Sequence, residues 1–404
     1  MRYSNRRAAS TDWLISETLL LYTILSLFFL NLRNAPQVLT FSRYFTKETL
    51  EYEEKAKQIC GDVEFFKNGH LAEIAKANAK KLSNCDYCNV VRHYSGSNST
   101  ENDVAFAYLM GNTSHNILNW VRTLRSAQCR CSIIFLVTQK LYDLHHESVW
   151  RDLSNCGVTI QVVPYHSDNI FNDVRMCRKI IEYVFAEYCS MYFDRMMFSD
   201  IYDSIFQKDP FIKDAPQDKI SMSIERVTFA NHDWEKYFMS AYFSSEFANL
   251  LANAKKFLIN GGFVIGKGYL MAEFYHTVIS LPKFFHKMSR DQSYFNFAVY
   301  GKVFTKIWID FNATYYASAC YSIYEQRPRS DGYIYDWDTK TAPALIHQMD
   351  RICPIVQLIY KTCPTHNKNY DSNYRQAYIM QPCDSLANRN DRRFTYSANA
   401  TIDL

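Results

Sequence analysis

Asp200 and Asp203 stand out in this sequence as residues that could do chemistry. Asp200 ends the largely apolar run Tyr192-Phe-Asp-Arg-Met-Met-Phe-Ser-Asp200, and Asp203 follows three residues later. A strand of that kind carries its carboxylates to the rim of a sheet, and in open α/β sheets ligands sit outside the carboxyl ends of the strands. Mn²⁺ or Mg²⁺ prefers oxygen ligands and is held through one or two carboxylates together with substrate phosphates. The pair therefore predicts a divalent cation and a diphosphate at this rim. A helix cap followed by a surface turn would use the same residue types.

Three later positions follow the same logic. His347, in Ala344-Leu-Ile-His-Gln-Met-Asp-Arg351, ends another short apolar run, where a strand would bring an imidazole to the same rim to complete the cation's shell. A surface histidine beside Asp350 is the plain alternative. Asn260-Gly261-Gly262 interrupts an apolar strand, and two glycines permit positive φ or close approach of a ligand to the backbone. A β-bulge would need the same residues. Asp291-Gln292 opens a helix, where carboxylate and amide can orient a sugar hydroxyl or an attacking acceptor, or where Asp291 simply caps the helix.

Positioning these side chains requires alternating strands and helices. Asp103 to Gly111 reads as a buried strand, Ile117 to Ser126 as a helix, Ser132 to Val137 as a second strand, and Leu141 to Leu153 as a helix. Val158 to Val163 follows as a third strand, Asp173 to Glu187 as an amphipathic helix, and Ser190 to Phe198 as the fourth strand. Strands separated by helices of this length pair in parallel through right-handed crossovers, so the fold class expected is α/β with a Rossmann-type mixed sheet flanked by helices. Beyond the acidic pair come strands at Ile220 to Ile224 and Phe257 to Gly266 and a helix from Tyr269 to Leu281. After Asp384 the chain is polar and reads as a tail.

The N-terminus predicts a different environment for the chain than its middle does. Residues 1–12 form a tail with Arg2, Arg6 and Arg7, and the apolar stretch Trp13 to Leu32 is interrupted only by Glu17 near its start. About 20 such residues span a bilayer, and no small-residue cleavage site follows, so 13–32 reads as an uncleaved transmembrane signal anchor with its arginines cytoplasmic, a long-cored cleavable signal being the alternative. Residues 33–102 then read as a stem leading into the main domain at 103–365, with 366–404 as a C-terminal tail.

A lumenal body fits two further features. Asn98, Asn112, Asn312 and Asn399 each begin a glycosylation acceptor triplet, and the 12 cysteines are an even number that an oxidising compartment could pair. Cys85-Asp-Tyr-Cys88 and Cys129-Arg-Cys131 lack a second ligand pair at zinc-finger spacing, so disulfides or inert thiols are expected there. Net charge is +4 with both signs interspersed and no dense basic block, which argues against nucleic acid as a partner.

Together these motifs resemble the nucleotide-diphospho-sugar transferases of the GT-A fold, in particular type II membrane glycosyltransferases with an SDxxDxxFQxDPF block. Here that block is Ser199-Asp-Ile-Tyr-Asp-Ser-Ile-Phe-Gln-Lys-Asp-Pro-Phe211, and Asn260-Gly-Gly-Phe-Val-Ile-Gly266, Asp291-Gln292 with Asn296, and Ile346-His-Gln-Met-Asp-Arg351 look similar to the later signatures. The order of the motifs is also that of glycogenin-like transferases. The resemblance implies a metal-dependent hexosyltransferase-like enzyme of the Golgi or endoplasmic reticulum membrane, using Mn²⁺ or Mg²⁺ and a nucleotide-diphospho-sugar, with a glycan, lipid or protein acceptor.

By the same resemblance Asp200 would contact the donor sugar or ribose, and Asp203 and His347 would ligate the cation. Asn260, Gly261 and Gly262 would lie on the cofactor side, and Asp291 and Gln292 would act on the sugar and acceptor. The family's acidic signature is Asp-x-Asp, whereas two residues separate the carboxylates here, leaving open whether Asp200 or Asp203 is the main metal ligand. Two other classes compete. A carbohydrate-binding or scaffold protein of the same fold, without turnover, would be marked by loss of a ligand. A sugar nucleotidyltransferase would carry a lysine in the loop after the first strand, which Met110-Gly-Asn-Thr-Ser114 lacks.

Overall fold

The computed structural model describes residues 41–90, 96–110, 117–145, 147–164, 174–282, 284, 290–319, 322, 324–325, 328–349 and 352–363. The stretch expected to cross a membrane, 13–32, and the tail 366–404 lie outside them. Among the described residues no helix is long and apolar enough to cross a membrane. The chain divides at Tyr52, and the body runs from Glu53.

Three helices come first: α1 (Phe41–Cys60), α2 (Glu64–Lys67) and α3 (His70–Ala79). Leu71, Ala72, Ala75 and Ala79 line one face of α3 and are buried. That face packs on the sheet, so the packed body begins well before Asp103. The alternating half follows as β1 (Asp103–Leu109), α4 (Ile117–Ser126), β2 (Ser132–Thr138), α5 (Gln139–Leu144), α6 (Glu147–Asn155), β3 (Val158–Val163), α7 (Val174–Cys189) and β4 (Arg195–Ser199). The single helix expected over Leu141 to Leu153 is two, and the fourth strand starts later than Ser190 because a turn occupies Ser190 to Tyr192.

Strands β1 and β2 are buried along their whole length, which is why they read as unbroken apolar runs. Ala105, Ala107 and Leu109 face α4 and α6 with Trp120, Leu124, Trp150 and Leu153. On the other face Phe106 stacks on Phe185 of α7 at 3.9 Å between ring centres. Order β3-β2-β1-β4 is parallel throughout. The register of β1 on β4 is pinned by Arg195, whose Nε and Nη2 donate to the two oxygens of Asp103 at 2.7 and 2.9 Å.

The second half is mixed: β5 (Ser204–Phe206), β6 (Ile220–Thr228), α8 (Asp233–Tyr242), α9 (Ser245–Asn253), β7 (Phe257–Ile259), β8 (Phe263–Lys267), α10 (Gly268–Ile279), α11 (Asp291–Tyr300), β9 (Ile307–Asp310), β10 (Tyr316–Ser318), β11 (Leu345–His347) and α12 (Cys353–Thr362). Antiparallel β8, β6 and β7 extend the sheet beyond β4, and β9 pairs β6 in parallel. A small second sheet has the order β10-β11-β5. Disulfides join Cys85 to Cys156 and Cys88 to Cys363, so the segment before β1 is fastened to both the first half and α12. The molecule is thus a mixed α/β protein whose central sheet contains a parallel half and is flanked by helices.

Candidate metal centre

Between β1 and β4 the strand order reverses: β2 and β3 lie to one side of β1, and β4 to the other. In open α/β sheets the crevice at such a point, beyond the carboxyl ends, receives ligands. Asp200 directly follows β4 there. Tyr202 bridges the two strand ends, its hydroxyl donating to the carbonyl of Met110 at 3.4 Å. Trp120 of α4 donates its indole N–H to Ser199 Oγ at 3.1 Å and fixes the last residue of the strand.

Two backbone pairings bring the distant elements to this point. Asp200 N–H donates to the carbonyl of Gly262 at 2.6 Å, so the turn before β8 is held against the end of β4. In the small sheet β11 runs antiparallel to β5 with His347 opposite Ser204, next to Asp203. Met349 N–H then donates to the carbonyl of Asp203 at 2.8 Å. His347 Nε2 consequently stands 3.2 Å from Asp200 Oδ2 and 3.4 Å from Asp203 Oδ1.

Asp200, Asp203 and His347 each offer one ligand atom, and these atoms lie within 4.8 Å of one another. Asp203 Oδ1 and His347 Nδ1 are buried without a hydrogen-bond partner. Two carboxylate oxygens and one imidazole nitrogen form a donor set open to a divalent cation. The residues fit a divalent cation. Burial alone would pull the imidazole down, but Asp203 and Asp200 outweigh it and push its pKa to about 10. A cation held here would take the imidazole in its neutral form.

Gly262 explains how the ring fits. A Cβ built there would fall 2.1 to 2.4 Å from three atoms of the His347 ring, so no side chain is possible at this position without moving the imidazole. Gly261 packs in the same way on Gln292, where a Cβ would lie 3.3 Å from Cα and Cβ. Asn260 is fully buried with its side chain turned into the body. Its Oδ1 accepts from Gly262 N–H at 2.8 Å, and its Nδ2 donates to Glu225 Oε1 at 3.1 Å and Ser318 Oγ at 3.3 Å. The amide thus holds the glycine turn in place. Asn296 does the same for β7, bonding both N–H and carbonyl of Ile259 at 2.8 and 3.0 Å.

Asp291 is the first residue of α11 and joins the site through cations on α7 that sequence reasoning missed. Arg178 Nη1 bonds Asp200 Oδ1, its Nη2 lies 3.4 Å from Asp291 Oδ2, and Lys179 Nζ lies 3.6 Å from the same oxygen. Glu182 balances them, 3.0 Å from Lys179 and 3.4 Å from Arg178. Burial would raise the Asp200 carboxyl, yet Arg178 and then His347 hold it far below the usual carboxylate range. The signal available in the sequence was Arg178-Lys179, with Glu182, within the otherwise largely apolar stretch Met176 to Ala186. Cations on such a helix must meet acids from elsewhere.

The structure brings Asp200, Asp203, His347 and Gly262 into contact, joins Asp291 to them through Arg178, and sets Gly261 against Gln292. No protein-family model matches the sequence, and a search of curated proteins finds no match.

Proposed function

We propose that this chain is a metal-dependent glycosyltransferase that moves a sugar from a nucleotide-diphosphate donor to a hydroxyl acceptor. One observation carries the proposal: two acids and a histidine, contributed by three strand ends, converge at the switch point of a half-parallel sheet with their possible ligand atoms within 4.8 Å of one another. A divalent cation held there would neutralise the charge that develops on a departing nucleoside diphosphate. Asp203 and His347 would hold the ion. Asp200, with one oxygen on Arg178 and the other facing His347, would serve both the ion and the donor sugar or ribose. Arg178 and Lys179 would orient Asp200 and Asp291, and Arg178 would keep Asp200 ionised. Asp291 and Gln292, beside Gly261, would position the sugar and its acceptor.

We place the body in the lumen of the Golgi or endoplasmic reticulum, tethered by residues 13–32. Two disulfides and the exposed acceptor Asn312 support that setting. The intact triad weighs against a scaffold without turnover. The test is to titrate the full chain with Mn²⁺ and a panel of sugar nucleotides, following thermal stabilisation and donor hydrolysis. At least one donor is expected to stabilise the protein only with Mn²⁺, and Asp203→Ala is expected to abolish the effect. No stabilisation by any donor, or an unchanged response in Asp203→Ala, overturns the proposal.

A further inference from the structure

We infer that this chain holds a second binding site, for the phosphoryl group of a small phosphate ester, in a cleft at the amino end of β4. Arg195 opens that strand, whereas Asp200 follows its last residue, so the cleft and the candidate metal centre lie at opposite rims of the sheet. The cleft's chemistry is independent of the transfer activity proposed above.

Strand register places three cations in one row. Arg195 of β4 stands opposite Lys267 at the end of β8, and directly opposed residues of an antiparallel pair turn their side chains to the same face. Ser221 of β6 stands opposite Ile265 of β8. Carried two residues further along both segments, that register sets Lys219, just before β6, across from Lys267. Side chains alternate along a strand, so the three cations share a face with Ile265 and Ser221. All five residues line one open cleft of ≈ 270 Å³, and no acid lines it.

The charge in this row is unbalanced. Asp103 takes Arg195, with Nε at 2.7 Å from its carboxylate. Among the described residues no acid pairs with Lys267 or Lys219, and both lysines are half-buried. Like charges opposite one another destabilise a sheet, and an anion between them removes that cost. A phosphate monoester brings close to two negative charges and three acceptor oxygens. A carboxylate brings half the charge and one oxygen fewer.

The cleft also has an apolar wall. The Arg195 guanidinium lies 5.2 Å from the Phe211 ring centre, and its Nη1 donates to the Phe211 carbonyl at 3.0 Å. Tyr316 donates its hydroxyl to the carbonyl of Pro210 at 2.8 Å. These contacts hold the loop after β5 against the sheet, where Phe211, Ala215 and Pro216 line the cleft beside Ile265. A space of this size takes a phosphate with a single ring or short chain attached, smaller than a drug-sized ligand.

The experiment titrates the full chain with inorganic phosphate, phenyl phosphate and benzoate, read by calorimetry and thermal unfolding. EDTA is present so that no divalent cation draws the probe to the opposite rim. Phenyl phosphate is expected to bind about tenfold more tightly than benzoate, which has the ring without the second charge. It is expected to exceed inorganic phosphate through contact with the apolar wall, and equal affinity of those two would assign the site to free phosphate. Lys267→Gln and Lys219→Gln should each weaken phenyl phosphate by about tenfold, and Lys267→Arg by less than about threefold. Without ligand the glutamine variants should melt no lower than the parent, because a repulsion has been removed. Absence of binding, benzoate as tight as phenyl phosphate, or unchanged affinity in both glutamine variants overturns the inference. So does loss of binding in variants that melt well below the parent, since the lysines would then be structural.

Discussion

Two acids of this molecule, half-buried Asp200 and buried Glu235, are pushed in opposite directions. Asp200 and Asp203 sit among Arg178, Lys179 and His347. Glu235 sits among Ser293, Glu225, Asp291 and Arg290. Burial raises a carboxyl in both places. At Asp200 the cations reverse the effect and hold the carboxyl far down, whereas at Glu235 burial, with Glu225 and Asp291 adding to it, pushes the pKa up to about 7. Partner charge separates an acid held ionised from one pushed toward its neutral form.

Removing the cation that makes the difference should have the largest effect. Arg178→Met leaves Asp200, Glu182 and Asp291 short of a counter-charge and is expected to cost about 3–5 kcal/mol in denaturant unfolding. A loss below about 1 kcal/mol would mean that Asp200 owes little to Arg178.

Glu235→Gln tests the opposite member. The folded carboxyl titrates near 7 and the unfolded one near 4.5. The favourable protonated form is therefore fully present below the unfolded value, and stability falls as pH rises through about 7. The variant should be more stable than the parent by up to about 3 kcal/mol at pH 8 and equal to it at pH 4. A pH-independent difference would place a cation beside Glu235.

Gly262→Ala forces a methyl into the His347 ring and is expected to cost about 1–3 kcal/mol, and Mn²⁺-dependent stabilisation should go with it. If the variant binds Mn²⁺ as the parent does, the imidazole is not a ligand. The smallest change in stability should come from Asp203→Asn, within about 1 kcal/mol, while the Mn²⁺ midpoint rises by about tenfold or more. An unaltered midpoint would leave Asp200 and His347 as the whole protein contribution.

Much of the parallel half was legible in the sequence because buried parallel strands are unbroken apolar runs, and β1, β2 and β3 start at the residues expected. Asp200, Asp203 and Asp291 were legible as acids at the ends of periodic segments, and the glycines as breaks in one. Arg178, Lys179 and Glu235 were not, since an ionisable side chain within a helix looks solvated until its partner is known. The inward turn of Asn260 was hidden for the same reason: an amide beside two glycines reads equally as a ligand contact or as their brace. The cysteine pairings followed chain paths that no spacing encodes.

Composition and periodicity by themselves determined that this chain builds an α/β sheet and where its first three strands begin, because those properties depend on neighbours a few residues away. That Asp200 and His347, 147 residues apart, meet at 3.2 Å was decided only by the tertiary structure. Their meeting depends on the antiparallel register of β5 against β11 and on a glycine that leaves room for the ring, and both are contacts between segments that local sequence cannot specify.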